Sequence, residues 1–393
     1  MKVLYVSHTA IVSGAERSLL DLIVALPDTV APLLATPPGP LQELARERGV
    51  ATTTITGTAG SLRVHALHTP KALGEMALAA WQVRRRAAHH RADVVHANSI
   101  RAGIVLGIAR LRRTPTIVHV RDCLPAGRVS TATLRLIAAT ATTVVANSAY
   151  TAASVRAAAP RAPLHVVHNP VDLARFDPAA LDRASARARL GEAGQRGVLL
   201  GVVAQLSPWK GQDTAIEALG ALHRGGIDAQ LLLVGSAKFL DRATRFDNEG
   251  YVSGLRDLAV REGVQDRVSW LGEREDVPAL VRALDVLLLP SWEEPFGRAV
   301  LEAMALEVPV LATDVGGPRE IMRDGHEGFL LPPLEPDRWA GAVARLAESP
   351  ELAVRMGRAG RERVQREFTT AHHARAMLDV YEQAIAKSRG GES

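Results

Sequence analysis

The sequence predicts an α/β protein made of two doubly wound parallel-sheet domains facing a central cleft, and three observations carry that prediction. Short apolar, β-branched-rich runs recur along the chain with helix-period segments between them. The runs fall into two series divided by a polar, proline-containing connection. At 393 residues the chain is also too long for one ordinary core, at a prior of roughly 150 residues per domain.

The first series reads "KVLYVS", "APLLAT", "DVVHAN", "TIVHV", "TTVVAN" and "LHVVHN", all within the first 170 residues. The second reads "VLLGVVAQL", "QLLLVG", "RVSWLG", "DVLLLP", "VPVLAT" and "GFLLPP". Runs this continuously apolar suit strands covered by helices on both faces. Between the series, residues 168 to 197 carry two prolines, several aspartates and a Gly-rich end, which puts the boundary near residue 172. The expected domains are 1–171 and 172–371. A last helix, at about 372–388, shows apolar spacing at Ala371, Ala374, Met377, Leu378, Tyr381 and Ile385.

Composition narrows the function classes. With 47% hydrophobic and 23% charged residues, and no apolar run near the roughly 18 residues that span a bilayer, the chain is expected to be soluble. "MKVLYVSH" enters a strand pattern with only Lys2 before it and no small-residue cleavage site after it, so a cytoplasmic location is expected. A lone cysteine, Cys123, excludes an intrachain disulfide and a cysteine-rich metal site. The net charge of +5 is concentrated only in "WQVRRRAAHHR" (81–91), which reads as a solvated helix face or as a peripheral contact with an anionic membrane. Nucleic acid is not expected as a partner, because aromatics make up 4% of residues and no recognition motif interleaves them with arginine.

Ligands of open α/β sheets bind outside the carboxyl ends of the strands, so the residues following each run are the candidates. "DVLLLPSWEEPFGRAVLEAMA" is a strand, a turn, and a helix expected to begin near Gly297. The unpaired N–H groups and dipole of that helix end can hold a phosphate, cradled by Phe296, Gly297 and Arg298. Glu294 and Glu302, with seven residues between them, could accept hydrogen bonds from vicinal sugar hydroxyls. Two other readings stand beside that one: the acid and nucleophile of a glycoside hydrolase, or capping and surface glutamates. In "VVAQLSPWKGQD", Lys210 lies in a strand-end loop, where it could neutralise a diphosphate leaving group. In "TDVGGPREIM", Gly316 and Gly317 allow close backbone approach, and Glu320 is a secondary contact. In the first domain, Ser13, Gly14 and Ala15 open a helix without a dinucleotide fingerprint. His96 and Asn98 end one strand there, and His119, Arg121 and Asp122 end another, with His119 and Arg121 standing beside Lys210 and Glu294 as candidate catalytic residues.

At this point the chain resembles the large retaining glycosyltransferase family of the GT-B fold, often numbered family four. The resemblance rests on "GVVAQLSPWKG", "LLLVGS", "VSWLGEREDVP", "DVLLLPSWEEPFGRAVLEAMA", "PVLATDVGGPREI" and "DGHEGFLL", and in the first half on "SGAERSLLDL", "ADVVHANS" and "VVHNPVDLARF". It implies two Rossmann-like domains: a C-terminal one binding a nucleotide-sugar donor, with UDP expected, and an N-terminal one binding a small-molecule or glycan acceptor. It implies no metal and no separate cofactor, and a C-terminal helix that packs back on the first domain. By the same resemblance Glu302 is the ribose ligand, Glu294 meets donor-sugar hydroxyls, and Phe296 and Gly297 are backbone donors to sugar and phosphate. Lys210 is the diphosphate cation, Gly14 the first-domain loop residue near the donor, and Arg274 lies where the base is met. The chain departs from the pattern at Gln205, where relatives carry an arginine. It departs again at Arg121, which stands where many carry a histidine, with His119 two residues earlier. Two rivals follow: a sugar-nucleotide-binding protein without transfer activity, and a GT-B phosphorylase or epimerase.

Overall fold

The computed structural model of the protein describes residues 1–58, 69–111, 113–191, 197–237 and 247–390. The chain forms two compact units, Met1–Pro170 together with Thr370–Ser393, and Val171–Thr369. Residues 56–70, where the resemblance puts an acceptor-binding loop whose sequence carries no readable code, fall largely outside the described residues, as does the 192–196 stretch of the connection.

The first unit holds seven parallel strands: β1 (Lys2–Val6), β2 (Ala31–Thr36), β3 (Thr52–Thr54), β4 (Val94–Ala97), β5 (Thr116–Val120), β6 (Thr143–Ala146) and β7 (Leu164–Val166). Their order is β3-β2-β1-β4-β5-β6-β7. The second unit holds β8 (Val198–Val203), β9 (Ala229–Val234), β10 (Val268–Gly272), β11 (Val286–Leu289), β12 (Val310–Thr313) and β13 (Gly328–Leu331), in the order β10-β9-β8-β11-β12-β13. Both sheets are Rossmann-like, and each reverses winding beside its first strand, between β1 and β4 and between β8 and β11. All expected strands are present. The strand that the sequence reading omits, β3, is "TTT" at a sheet edge, where half-exposed polar residues need no apolar run.

Strand residues of opposite parity face opposite helical layers, because successive side chains in a strand alternate between faces. In the first unit, Tyr5, Ile117 and Val145 pack under the helix Gly14–Val24 and the C-terminal helix Thr370–Gly390. Leu4, Val95, Val118 and Val144 pack under the helices Thr69–His90, Ile100–Ala109 and Arg128–Thr140. The second unit is layered alike, with Leu287 and Leu289 facing the helix Arg298–Ala305, and Leu231 and Leu288 facing the helix Gln212–Arg224. The C-terminal helix buries Ala374, Met377, Val380, Tyr381 and Ala384. Ala371, the first residue of the expected stripe, is exposed, because contact begins with His373 in the next half-turn.

Candidate active site

In the second unit three strand-end loops converge beside the β8/β11 switch point. After β8 the chain makes one 3₁₀ turn, Pro208–Lys210, closed by Gly211 in the left-handed region at φ 69°. A Cβ on Gly211 would lie 2.0 Å from the carbonyl oxygen of Pro290, so glycine alone lets this loop pass the end of β11. The Trp292 N–H donates to the Trp209 carbonyl at 2.9 Å and ties the two loops together. The loop after β12 closes from the other side: Glu294 N–H donates to Val315 O at 3.2 Å, and Gly317 N–H to Glu294 O at 2.9 Å. Gly316, at φ 102°, would put a Cβ 2.0 Å from the Glu294 carbonyl oxygen.

This clamp fixes the Glu294 carboxylate. Its Oε2 accepts from Lys210 Nζ at 2.6 Å and from Ser291 Oγ at 3.1 Å. The Lys210 and Glu294 side chains keep 14% and 9% of their surface exposed, so the pair is sheltered yet reachable. Lys210 Nζ also lies 3.8 Å from the centroid of the Trp209 ring, which offers its electron-rich face to the ammonium. Ser291 and Trp209 lie inside the motifs quoted above, but spacing alone did not single them out.

Gly297 caps the helix Arg298–Ala305 in the left-handed region at φ 103°, and no side chain caps its first turn. The helix start therefore falls where the sequence placed it. Phe296 is 2% exposed and its ring belongs to the apolar core, which leaves its backbone as the part that can meet a ligand. Glu302 sits in the second turn and pairs with Arg298 at 3.4 Å, so Arg298 is engaged by its own helix. The Gln205 carbonyl accepts from Gln212 Nε2 at 2.9 Å, bracing the loop that carries Lys210. Arg274, after β10, is 44% exposed and forms a forked pair with Asp276, its two hydrogen bonds 2.9 Å each.

The first unit gathers its polar residues differently. Arg121 is 4% exposed. Its Nε donates to Asn98 Oδ1 at 3.0 Å and its Nη1 to Ser18 Oγ at 3.0 Å and to Asn169 Oδ1. Asn147 Nδ2 donates to the Arg121 carbonyl at 3.0 Å. The guanidinium thus joins the first helix to the segments that follow β4, β5 and β7, and Ser18 and Asn169 are partners that the sequence reading did not weigh. His119 lies inside β5 on the face covered by the C-terminal helix, fully buried, its ring 5.5 Å from His96 and 6.5 Å from His373 between centroids. The expectation of His119 as a strand-end, candidate catalytic residue is corrected: residues 117 and 119 share a face, and 119 points into the core with Ile117. Burial, and then the Arg121 charge, hold both His96 and His119 well below the usual histidine range. His96 Nδ1 meets the Tyr381 hydroxyl at 2.8 Å, and that hydroxyl donates to Tyr5 at 3.2 Å. At the start of the first helix Gly14 is exposed, while Ser13 and Glu16 form a capping box that "SGAE" contains but the sequence reading passed over. Burial pushes the Glu16 carboxyl up, and its hydrogen bonds with Ser13, then the Arg121 charge, offset part of that.

Comparison with known proteins bears on the family and the fold. The family profile described as "Glycosyl transferases group 1" matches residues 182–363, and that described as "Glycosyltransferase Family 4" matches residues 12–175. The D-inositol 3-phosphate glycosyltransferase of Salinispora arenicola is 32% identical over 334 residues, covering 78% of this chain and 71% of the relative. This chain belongs to glycosyltransferase family 4. The enzyme of the same description from Salinispora tropica is 35% identical over 238 residues, or 58% of this chain, and there the match spans only 47% of the relative's length. Among solved structures, Anabaena Alr3699/HepE in complex with UDP and glucose superposes with a TM-score of 0.83 at 27% identity, covering 97% of this chain and 99% of that one. The fold of this glycosyltransferase is accordingly of the GT-B class.

Proposed function

We propose that this glycosyltransferase transfers a hexose-type sugar from a nucleoside diphosphate, UDP being the expected nucleotide, to an acceptor hydroxyl with retention of anomeric configuration and without a metal ion. The observation that carries the reading is the Lys210–Glu294–Ser291 constellation beside the open helix start at Gly297. Both of its bonds end on Oε2, so Glu294 can offer Oε1 to a hydroxyl of the donor sugar. Lys210 and the first-turn N–H groups supply the positive potential that a departing diphosphate requires. In the reaction the bond from the anomeric carbon to the diphosphate oxygen breaks, and one to the acceptor oxygen forms on the same face. The departing diphosphate takes the acceptor proton. Glu302 binds the ribose, and Arg274 lies beside the base. The first unit takes the acceptor, with Gly14 near the donor, while Arg121 and His119 support that unit from within. A cytoplasmic location is part of the same reading.

HepE with UDP and glucose, at 27% identity over nearly the whole chain, supports a UDP-sugar donor. The relatives named for D-inositol 3-phosphate make a phosphorylated cyclitol the first acceptor to screen, ahead of natural products, lipid-linked glycans and polysaccharides. The test is calorimetric titration of the full chain with UDP, GDP, dTDP, ADP and NAD, first without metal and then with magnesium. Selective metal-free binding of one nucleoside diphosphate, weakened by Glu302→Ala, is expected. Failure of all five to bind sinks the donor assignment. Binding without donor turnover in any acceptor screen favours the non-catalytic alternative that Gln205 suggests.

A further inference from the structure

The helical layer that covers one face of the first sheet is unlike the rest of the molecule in charge. Residues 69 to 140, that layer with the two strands beneath it, hold twelve of the 47 Lys and Arg, the buried Arg121 among them, but only three of the 42 Asp and Glu, a formal +9 in a chain of net +5. The remainder is therefore −4. Of the three acids, Asp93 accepts the Lys2 backbone N–H at 2.7 Å and Glu75 is half-buried, so only Asp122 stands exposed.

The helices Thr69–His90, Ile100–Ala109 and Arg128–Thr140 pack side by side over one core cluster. Their outer faces carry apolar bulk as well as charge: Leu73, Leu78, Trp81, Ile108, Val129 and Leu136 are all 44% to 62% exposed. Those are half of the twelve large apolar side chains exposed among the described residues, so the layer is enriched in both properties at once. In the first of these helices Leu73, Ala77, Trp81 and Arg84 follow one another at three- and four-residue spacing, and the Arg85 guanidinium lies 5.5 Å from the Trp81 ring. Arg84, Arg85, Arg110, Arg113 and Arg128 are all exposed.

We propose that this three-helix layer is a docking surface for an anionic lipid bilayer. Positive charge and exposed Trp and Leu on one face are the two features that interfacial helices combine: the arginines meet lipid phosphates and the apolar tips enter the headgroup boundary. A nucleic acid would use the arginines but leave five aliphatic side chains without a role, and the patch has one aromatic on which a base could stack. The inference does not depend on the donor or acceptor assigned above.

The experiment is co-sedimentation of the full chain with phosphatidylcholine vesicles, with and without a quarter of phosphatidylglycerol. Anionic vesicles are expected to bind at least tenfold more tightly, and 0.5 M salt to reverse most of that difference. Each arginine near an anionic surface contributes about a fivefold factor, so Arg84→Glu with Arg85→Glu should cost tenfold or more. Unchanged hydrogen-exchange protection of β1, β4 and β5 in that variant excludes misfolding of the first unit. Trp81→Phe is expected to remove the blue shift of fluorescence on anionic vesicles. Equal affinity for both vesicle types, no binding to either, an unaffected double variant, or tighter binding to duplex DNA than to anionic vesicles would each overturn the proposal.

Discussion

Each unit of this glycosyltransferase gathers polar side chains near the carboxyl ends of its strands, yet the two gatherings differ in what can reach them. In the second unit Lys210 and Glu294 pair at 2.6 Å and stay partly open, and the helix beside them has no side-chain cap. In the first unit Arg121 is 4% exposed and bound by three side chains from three segments, and His96 and His119 are sealed in the core. Polarity at a strand end is thus a weak sign of a site, because a buried network produces the same sequence signal. Reach, and not the mere want of a partner, separates a site from a brace: Lys210 and Glu294 keep an edge open to solvent, whereas both ring nitrogens of His119 lack a partner among the described residues inside a sealed core.

Breaking the brace should give the largest effect on folding. Removing a buried, hydrogen-bonded charge costs about 3–5 kcal/mol, since its partners stay buried and unpaired. Arg121→Met should therefore lower stability by that order, read as lost hydrogen-exchange protection in β4, β5 and the C-terminal helix. The second unit should keep its protection. If Arg121→Met folds with native protection but transfers no sugar, Arg121 belongs to the chemistry and the contrast between the units fails.

The opposite pattern is expected in the second unit. Lys210→Met should lower turnover about 10²–10³-fold, the range for losing one group that stabilises developing negative charge. Exchange protection should fall less than in Arg121→Met, because Glu294 keeps its Ser291 hydrogen bond and an edge open to water. A loss of turnover smaller than tenfold would remove Lys210 from the role of diphosphate cation.

A glycine pair sharpens the contrast within the second unit. Gly316 and Gly325 both have positive φ, 102° and 72°. A Cβ at Gly316 would strike the Glu294 carbonyl at 2.0 Å, whereas Gly325 faces open space. Gly325→Ala should cost only the left-handed penalty of about 1–2 kcal/mol. Gly316→Ala should cost more and should weaken donor binding too, since it displaces Glu294. Equal effects in calorimetry and denaturation would mean that the clamp does not set the carboxylate.

How much of this was legible beforehand follows the same division. The strands were legible because continuous apolar runs between helix-period segments admit few other readings, and β3 was missed because an edge strand needs no such run. Lys210, Glu294 and the helix start at Gly297 were legible because they share two short motifs. The Arg121 network was not: Ser18 and Asn169 lie 103 and 48 residues away in the chain, and only the fold brings them together. His119 was misread for a smaller reason, its parity, which places it with Ile117 on the face under the C-terminal helix.

The histidines of the first unit predict a pH dependence. His8, beside Ser99 in the loop after β1, is lowered to about 4 by burial and the Arg101 charge, and His96 and His119 are lowered by burial and Arg121. In the unfolded chain each takes a proton near pH 6.5, whereas in the folded unit each takes it only at lower pH. The unfolded state then binds more protons, so stability is full above about pH 7 and declines as pH falls through 6.5, continuing toward 4 for His8. Each histidine contributes a slope of up to about 1.4 kcal/mol per pH unit. Removing one of them with His119→Leu should flatten the acid limb of first-unit exchange protection by up to that amount, while the second unit's profile stays as it was. An acid limb equally steep with and without His119 would show that the ring reaches water, returning it to the candidates for substrate contact.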